Sequence, residues 1–266
     1  METKSDSRLG TEKILKLMLQ LALPSVLAQI VNVLYNIIDR IYIGRIPGVG
    51  AAALTGVGVT FPVITIVSAF AGFANGGGAP LAAIAMGQRD NKRAEKILGN
   101  STFLLLVFSG VLMAVFLGLK KPLLYMFGAS DYTIEYAASY ITVYLLGTVF
   151  VELSVGLNTF ISCQGYARTA MISVLIGAIV NIILDPVFIF VLDMGVVGAA
   201  TATVISQALS VVWVLRFLIS AKSQIHLRIS DLKPDVKILG SILALGVSPF
   251  IMAATESAIT IVMNHG

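Results

Sequence analysis

From residue 14 to residue 264 the chain is a succession of apolar runs separated by short polar turns. A membrane-spanning helix needs about 20 apolar residues, whereas a barrel strand needs about 10 in alternation, so runs of this length predict helices. Seven spans are read, at 14–44, 51–87, 96–119, 132–163, 168–192, 195–218 and 237–264. Charged residues make up 12% of the chain and hydrophobic ones 57%, which is about half the charge of an average soluble domain. The predicted class is an all-α, multi-pass membrane protein.

The net charge of +4 does not point to nucleic acid, because the placement of the bases follows the predicted turns. Fourteen of the 18 Lys and Arg residues fall on one side: four before span one, Arg89 to Lys96, Arg168, and five between Arg216 and Lys237. The positive-inside rule then puts the N-terminus in the cytoplasm and the protein in the plasma (cytoplasmic) membrane, with lipid as a partner. The first apolar run is too long for a signal-peptide core and lacks a small-residue cleavage site, so no cleavable signal is expected. The one cysteine, Cys163, excludes an internal disulfide.

Acidic residues inside these spans are costly, about 2.5–3.5 kcal/mol each at the bilayer centre on insertion scales, so each one is a functional candidate. There are four, Asp39, Glu152, Asp185 and Glu256, and within a span only Arg40 could oppose them. Asp185 ends Asn181-Ile-Ile-Leu-Asp185-Pro186, where the i, i+4 spacing puts amide and carboxylate on one helix face. Pro186 has no N–H, which leaves the carbonyl of Ile182 without its usual partner, so one turn offers three hard oxygens suited to H⁺ or Na⁺. An Asp capping a broken helix is the plainer reading.

Asp39 lies with Asn32, Tyr35 and Asn36 on one stripe of span one, a polar face on an apolar helix. Arg40 points about 100° away and either snorkels outward or curls back toward Asp39. Asn158, and Thr201 or Thr203, are neutral donors that could complete a site. Glu152 is expected to line a cavity for a cationic substrate, with Tyr35, Asn36 and Glu256 as further cavity residues. Pro24, inside span one, is the expected hinge.

Lys13-Ile14-Leu15 leading to Leu23-Pro24-Ser25, and Lys237-Ile238-Leu239 leading to Val247-Ser248-Pro249, form a weak repeat across spans one and seven. Residues 1–219 are therefore read as a six-helix transmembrane lobe, 220–236 as a cytoplasmic linker, and 237–266 as the first helix of a second lobe. A missing C-terminal lobe is the corresponding expectation. A chain of six spans plus one is the alternative.

These residues together resemble a known family. Leu23-Pro24-Ser25 through Tyr35-Asn36-Ile37-Ile38-Asp39, Gly72 to Gly78, Leu157-Asn158-Thr159 and Asn181 to Pro186 are similar to the multidrug and toxic compound extrusion (MATE) transporters, nearest the branch of DNA-damage-inducible-protein-F-like bacterial members. The resemblance implies half of a twelve-helix, pseudo-two-fold antiporter that exports amphipathic, cationic small molecules, with no enzyme activity and no cofactor beyond the coupling ion, H⁺ or Na⁺. It also implies an ion-coupling set of Asp39, Asp185, Asn181, Asn158 and Thr203, with Na⁺ held by Asp39, Asn181, Asp185 and Thr203. Glu256 resembles an acid found on helix seven of some sodium-coupled members. Arg40 and Ser162-Cys163 depart from the family pattern. A lipid-linked oligosaccharide flippase of related architecture and an intramembrane aspartyl protease are the competing readings; the acid-rich lobe speaks against the first, and the absence of a Gly-x-Gly-Asp motif against the second.

Overall fold

The computed structural model describes residues 14–265. The bases predicted ahead of span one at Lys4, Arg8 and Lys13 lie outside them, as does the side chain of Glu256. Helix α1 (Ile14–Gly44) runs away from the basic end of the bundle. Three helices return as α2 (Gly50–Val59), α3 (Phe61–Gly72) and α4 (Ala79–Gly87), with a π-helical turn at Phe73–Gly78 between the last two. Then come α5 (Asn91–Met126), α6 (Ile134–Leu146), α7 (Thr148–Ser162), α8 (Ala167–Pro186), a second π turn (Val187–Val191), α9 (Gly195–Ile219), a 3₁₀ turn (Ile229–Leu232) and α10 (Val236–His265).

Among the described residues, five helices are long and apolar enough to cross a membrane, and the bent pair α6–α7 makes six. Spans one, five, six and seven match the expectation closely, but spans two, three and four need correction. Span two does not run unbroken over 51–87. It breaks at Thr60, because Pro62 at the start of α3 brings no N–H to continue α2, and the Thr60 hydroxyl instead donates to the Val57 carbonyl at 2.7 Å. Span three begins earlier and ends later than 96–119. Asp90 caps it by accepting from the Arg93 N–H at 3.0 Å, and its helix continues past Lys120, which donates to Thr142 Oγ1 at 2.9 Å. Span four bends by 58° at Gly147, where Val204 of α9 packs too close for any side chain. Span seven, expected at 237–264, is the helix Val236–His265.

α1 packs chiefly on α8, α9 lies against both α8 and α7, and α10 lies across α3 and the first π turn. The core has two parts. At the far end, Ile43, Val63, Tyr140, Leu145 and Ile189 are buried together. Nearer the basic end, Phe73, Leu98, Leu157, Phe160 and Leu218 form the second part. One face of α1 stays open, with Leu23, Val26, Ile30 and Val33 at least half exposed. Burial alone would not leave so much apolar surface uncovered in water, and in a bilayer it faces lipid or further protein.

The segment between α9 and α10 is fastened down. Glu95, 8% exposed, accepts from the backbone N–H of His226 at 3.1 Å, meets its Nδ1 at 3.2 Å, and lies 3.7 Å from Arg228 Nη2. Asn100 Oδ1 accepts from the Asp235 N–H at 2.7 Å, and Gln164 Oε1 accepts from the Gln224 N–H at 2.7 Å. Ile225 is fully buried under this strap. Replacing Glu95 by Ala strands two donors and is expected to lower stability by about 1–3 kcal/mol. Limited trypsin digestion checks it: cutting at Lys222 or Arg228 should become faster than in the wild type.

Candidate functional site

The polar stripe of α1 faces inward at the point where α1 meets α8. Asp39 is 8% exposed, Asp185 0% and Asn181 1%, while their helix neighbours Ile37 and Ile183 are about half exposed. The apolar residues on either side therefore fix the rotation of both helices, and the acids are carried into the contact between them. There the carboxyls of Asp39 and Asp185 are close enough to interact electrostatically across the contact between α1 and α8. Two ionised carboxylates buried this near each other repel, a repulsion that a proton or a cation would relieve.

Asn181 and Asp185 bond as the spacing predicted, Asn181 Nδ2 donating to Asp185 Oδ1 at 3.2 Å. The same amide donates to Thr203 Oγ1 on α9 at 3.4 Å, and Tyr140 on α6 lines the same cavity as Thr203. With its nitrogen engaged, Asn181 leaves Oδ1 without a partner, as are Asp39 Oδ1 and Asp185 Oδ2. Three buried, unpaired oxygens on two helices form a hard-oxygen donor set that fits a proton or a small alkali cation. Thr201 is not part of it, since its hydroxyl turns back to the Val197 carbonyl at 2.7 Å.

Two cavities flank this cluster. One, of about 230 Å³, is lined by Asp39, Asn36, Tyr140, Tyr144 and Thr203. The second, of about 360 Å³ and nearer the basic end, is lined by Ser25, Asn158, Thr159, Ser173 and Ser210. Tyr35, Asn32, Val155 and Gln207 line both, so the two are neighbouring chambers with a shared wall. Gln207 is held in that wall by the Ser154 hydroxyl, which donates to its Oε1 at 2.5 Å. The larger chamber presents hydroxyls and amides and no charged side chain.

Several expected residues are placed differently. Asn158 does not join the acid cluster: its Oδ1 accepts from the Ser173 hydroxyl at 2.9 Å, and Ser173 precedes Asn181 on α8 by eight residues, about 12 Å along a helix. Glu152 lines neither chamber. It is fully buried, because α7 turns Val151, Ser154 and Val155 to the cavities and Glu152 away from them. Arg40 makes no salt bridge with Asp39 among the described residues; its guanidinium stacks 4.2 Å from the centre of the Phe61 ring. α1 is continuous through Pro24, so the expected hinge is unbroken in this conformation. Tyr140, Tyr144 and Gln207 were not singled out in the sequence. The i, i+4 pair of tyrosines on an otherwise apolar span was the available signal.

The same geometry has relatives among known proteins. The MatE family model matches residues 24–187. The multidrug export protein MepA of Staphylococcus haemolyticus is 26% identical over 251 residues, which cover 94% of this chain and 55% of that protein. An outward-facing multidrug resistance MATE family transporter of the MOP superfamily superposes with a TM-score of 0.86 at 28% identity, over 95% of this chain and 55% of the other. Its inward-facing counterpart gives 0.80 at 29% identity, over 86% and 51%. The chain thus spans about half the length of the relatives it matches.

Proposed function

Since the chain belongs to the MATE family of membrane transporters, we propose that the full protein is a secondary antiporter exporting amphipathic, cationic small molecules in exchange for H⁺ or Na⁺. The observation that carries this reading is the buried pair Asp39 and Asp185, with three unpaired oxygens between two helices and a chamber against Asp39. Asp39, Asp185, Asn181 and Thr203 would hold the coupling ion. The uncharged chamber beside it would take the cargo, binding it by hydroxyl and amide hydrogen bonds, while the acid pair supplies the negative field that favours cations.

Ion and cargo are coupled through charge. A cation bound between α1 and α8 cancels the repulsion of the two acids and draws the helices together, which alters the wall formed by Asn32 and Tyr35 of α1. Releasing the ion restores the negative field and the affinity for a cation. The N-terminus of α1 is assigned to the cytoplasm by the clustering of bases at that end. An oligosaccharide-phosphate cargo is not favoured, because Arg40 is the one basic side chain on either chamber and it is engaged by Phe61.

The test uses the full-length protein in proteoliposomes loaded with ethidium. An imposed H⁺ or Na⁺ gradient should drive its movement, and Asp39→Asn should reduce the gradient-driven rate by about 100-fold, the scale expected when a required charge in a water-poor site is lost. Gradient-driven transport that persists in Asp39→Asn and in Asp185→Asn would overturn the reading.

A further inference from the structure

Glu152 is the buried acid that the proposed site does not use. It is fully buried, and both of its carboxyl oxygens lack a hydrogen-bond partner. One turn earlier on the same face of α7, Thr148 is also fully buried with an unpaired Oγ1. The first turns of α7 therefore bury three oxygens that nothing satisfies, directly after the 58° break at Gly147. An ionised carboxylate buried without a partner costs several kcal/mol, a cost removed by a proton or by a turn of the side chain into a polar space.

Such a space is adjacent. Val151 lines the chamber containing Asp39, and Glu152 is the next residue, about 100° around the helix. Tyr144, across the break, and Ser68 both lie on that chamber wall. The elements packed against α7 bring no other charge to this level. α3 and the first π turn carry none, α5 none between Lys96 and Lys120, and α9 none before Arg216. α8 carries Arg168 and Asp185 at its two ends, and α6 its tyrosines and Glu135.

We propose that Glu152 is a second proton-carrying carboxyl of the transport cycle, neutral and buried in this conformation and turned into the Asp39 chamber when α7 rotates about the Gly147 break. This rests on the antiport reading. In the chamber the carboxylate takes a proton from hydronium, forming an O–H bond and leaving water. The neutral group then re-enters the buried position, and the proton returns to water as hydronium on the next rotation.

The experiment combines infrared difference spectroscopy with proton counting on the full-length protein. The wild type should show the C=O stretch of a protonated carboxyl lacking hydrogen bonds, and Glu152→Gln should lose that band while Asp39→Asn and Asp185→Asn keep it. In proteoliposomes, Glu152→Gln should move about one proton fewer per ethidium than the wild type, and Glu152→Met, apolar and of similar length, should do the same. Absence of the band in the wild type, or an unchanged proton count in both Glu152 variants, overturns the proposal. No ion-driven exchange in the wild type overturns the antiport reading itself, and this proposal with it.

Discussion

Asp185→Asn should abolish ion-driven export by the full-length protein while leaving it folded. The carboxyl is fully buried, with Oδ1 held by Asn181 at 3.2 Å and Oδ2 unpaired. Asparagine has the same shape. Its oxygen can still accept from Asn181, and its nitrogen can donate to Asp39 Oδ1, which otherwise has no partner. One new hydrogen bond replaces a contact between two acids, so stability should hold or rise by about 1 kcal/mol. The ion site, by contrast, loses a charge and gains a donor aimed at it. A fall of at least about 100-fold in gradient-driven rate is expected, with an unchanged melting profile. Asn181→Ala separates the supporting role from the primary one: it removes the bond that orients Asp185 but keeps both charges, so ion affinity should fall by about 10–100-fold and recover at high ion concentration. Full exchange by Asp185→Asn at the wild-type ion dependence would show that the pair is structural.

That pair was legible in the sequence because both of its members sit in short-range patterns. The Asn181–Asp185 spacing fixes a shared face whatever surrounds it, and the stripe from Asn32 to Asp39 is defined against apolar neighbours. Glu152 had no such pattern. Among Val151, Leu153, Ser154 and Val155, nothing local says which side of α7 meets a cavity, since lipid-facing and protein-facing residues are both apolar. Only the packing of α7 on α5 and α9 decides it, and it turns Glu152 inward. Asn158 was misplaced for a related reason: its residue type fits an ion site, but its depth along α7 sets it beside Ser173. The breaks at Thr60 and Gly147 interrupt runs whose hydropathy is continuous, so length alone joined them. The strap over Glu95, Asn100 and Gln164 depends on contacts between residues about 60–135 apart in sequence, a separation at which local patterns carry no information.

Gly77→Ala should be among the most damaging single methyl groups that can be added to the fold. The π turn at Phe73–Gly78 brings successive glycines out toward different neighbours: Gly76 against Pro249, Gly77 against Ile242 and Gly246, and Gly78 against Ser101 and Phe160. At Gly77 the neighbour is backbone. A methyl carbon there would overlap the Ile242 carbonyl oxygen and lie 2.9 Å from the carbonyl carbon and 3.1 Å from the Gly246 nitrogen. Gly246 is in turn closed off by Phe73, so neither chain can yield by rotating a side chain, and α10 has to move away from the turn. The aromatic cluster spanning that contact, in which Phe73 and Phe250 stack at 5.0 Å, would open with it. The cost should reach about 3 kcal/mol, the upper end for overpacking, and a fall in melting temperature of roughly 6–12 °C. Gly110→Ala is the control. That position meets nothing within 4 Å, and a mid-helix Gly-to-Ala change there should stabilise by about 0.5–1 kcal/mol. If the two variants melted alike, α10 would not pack on the π turn through backbone contact, and its attachment to the six-helix lobe would have to rest on other residues.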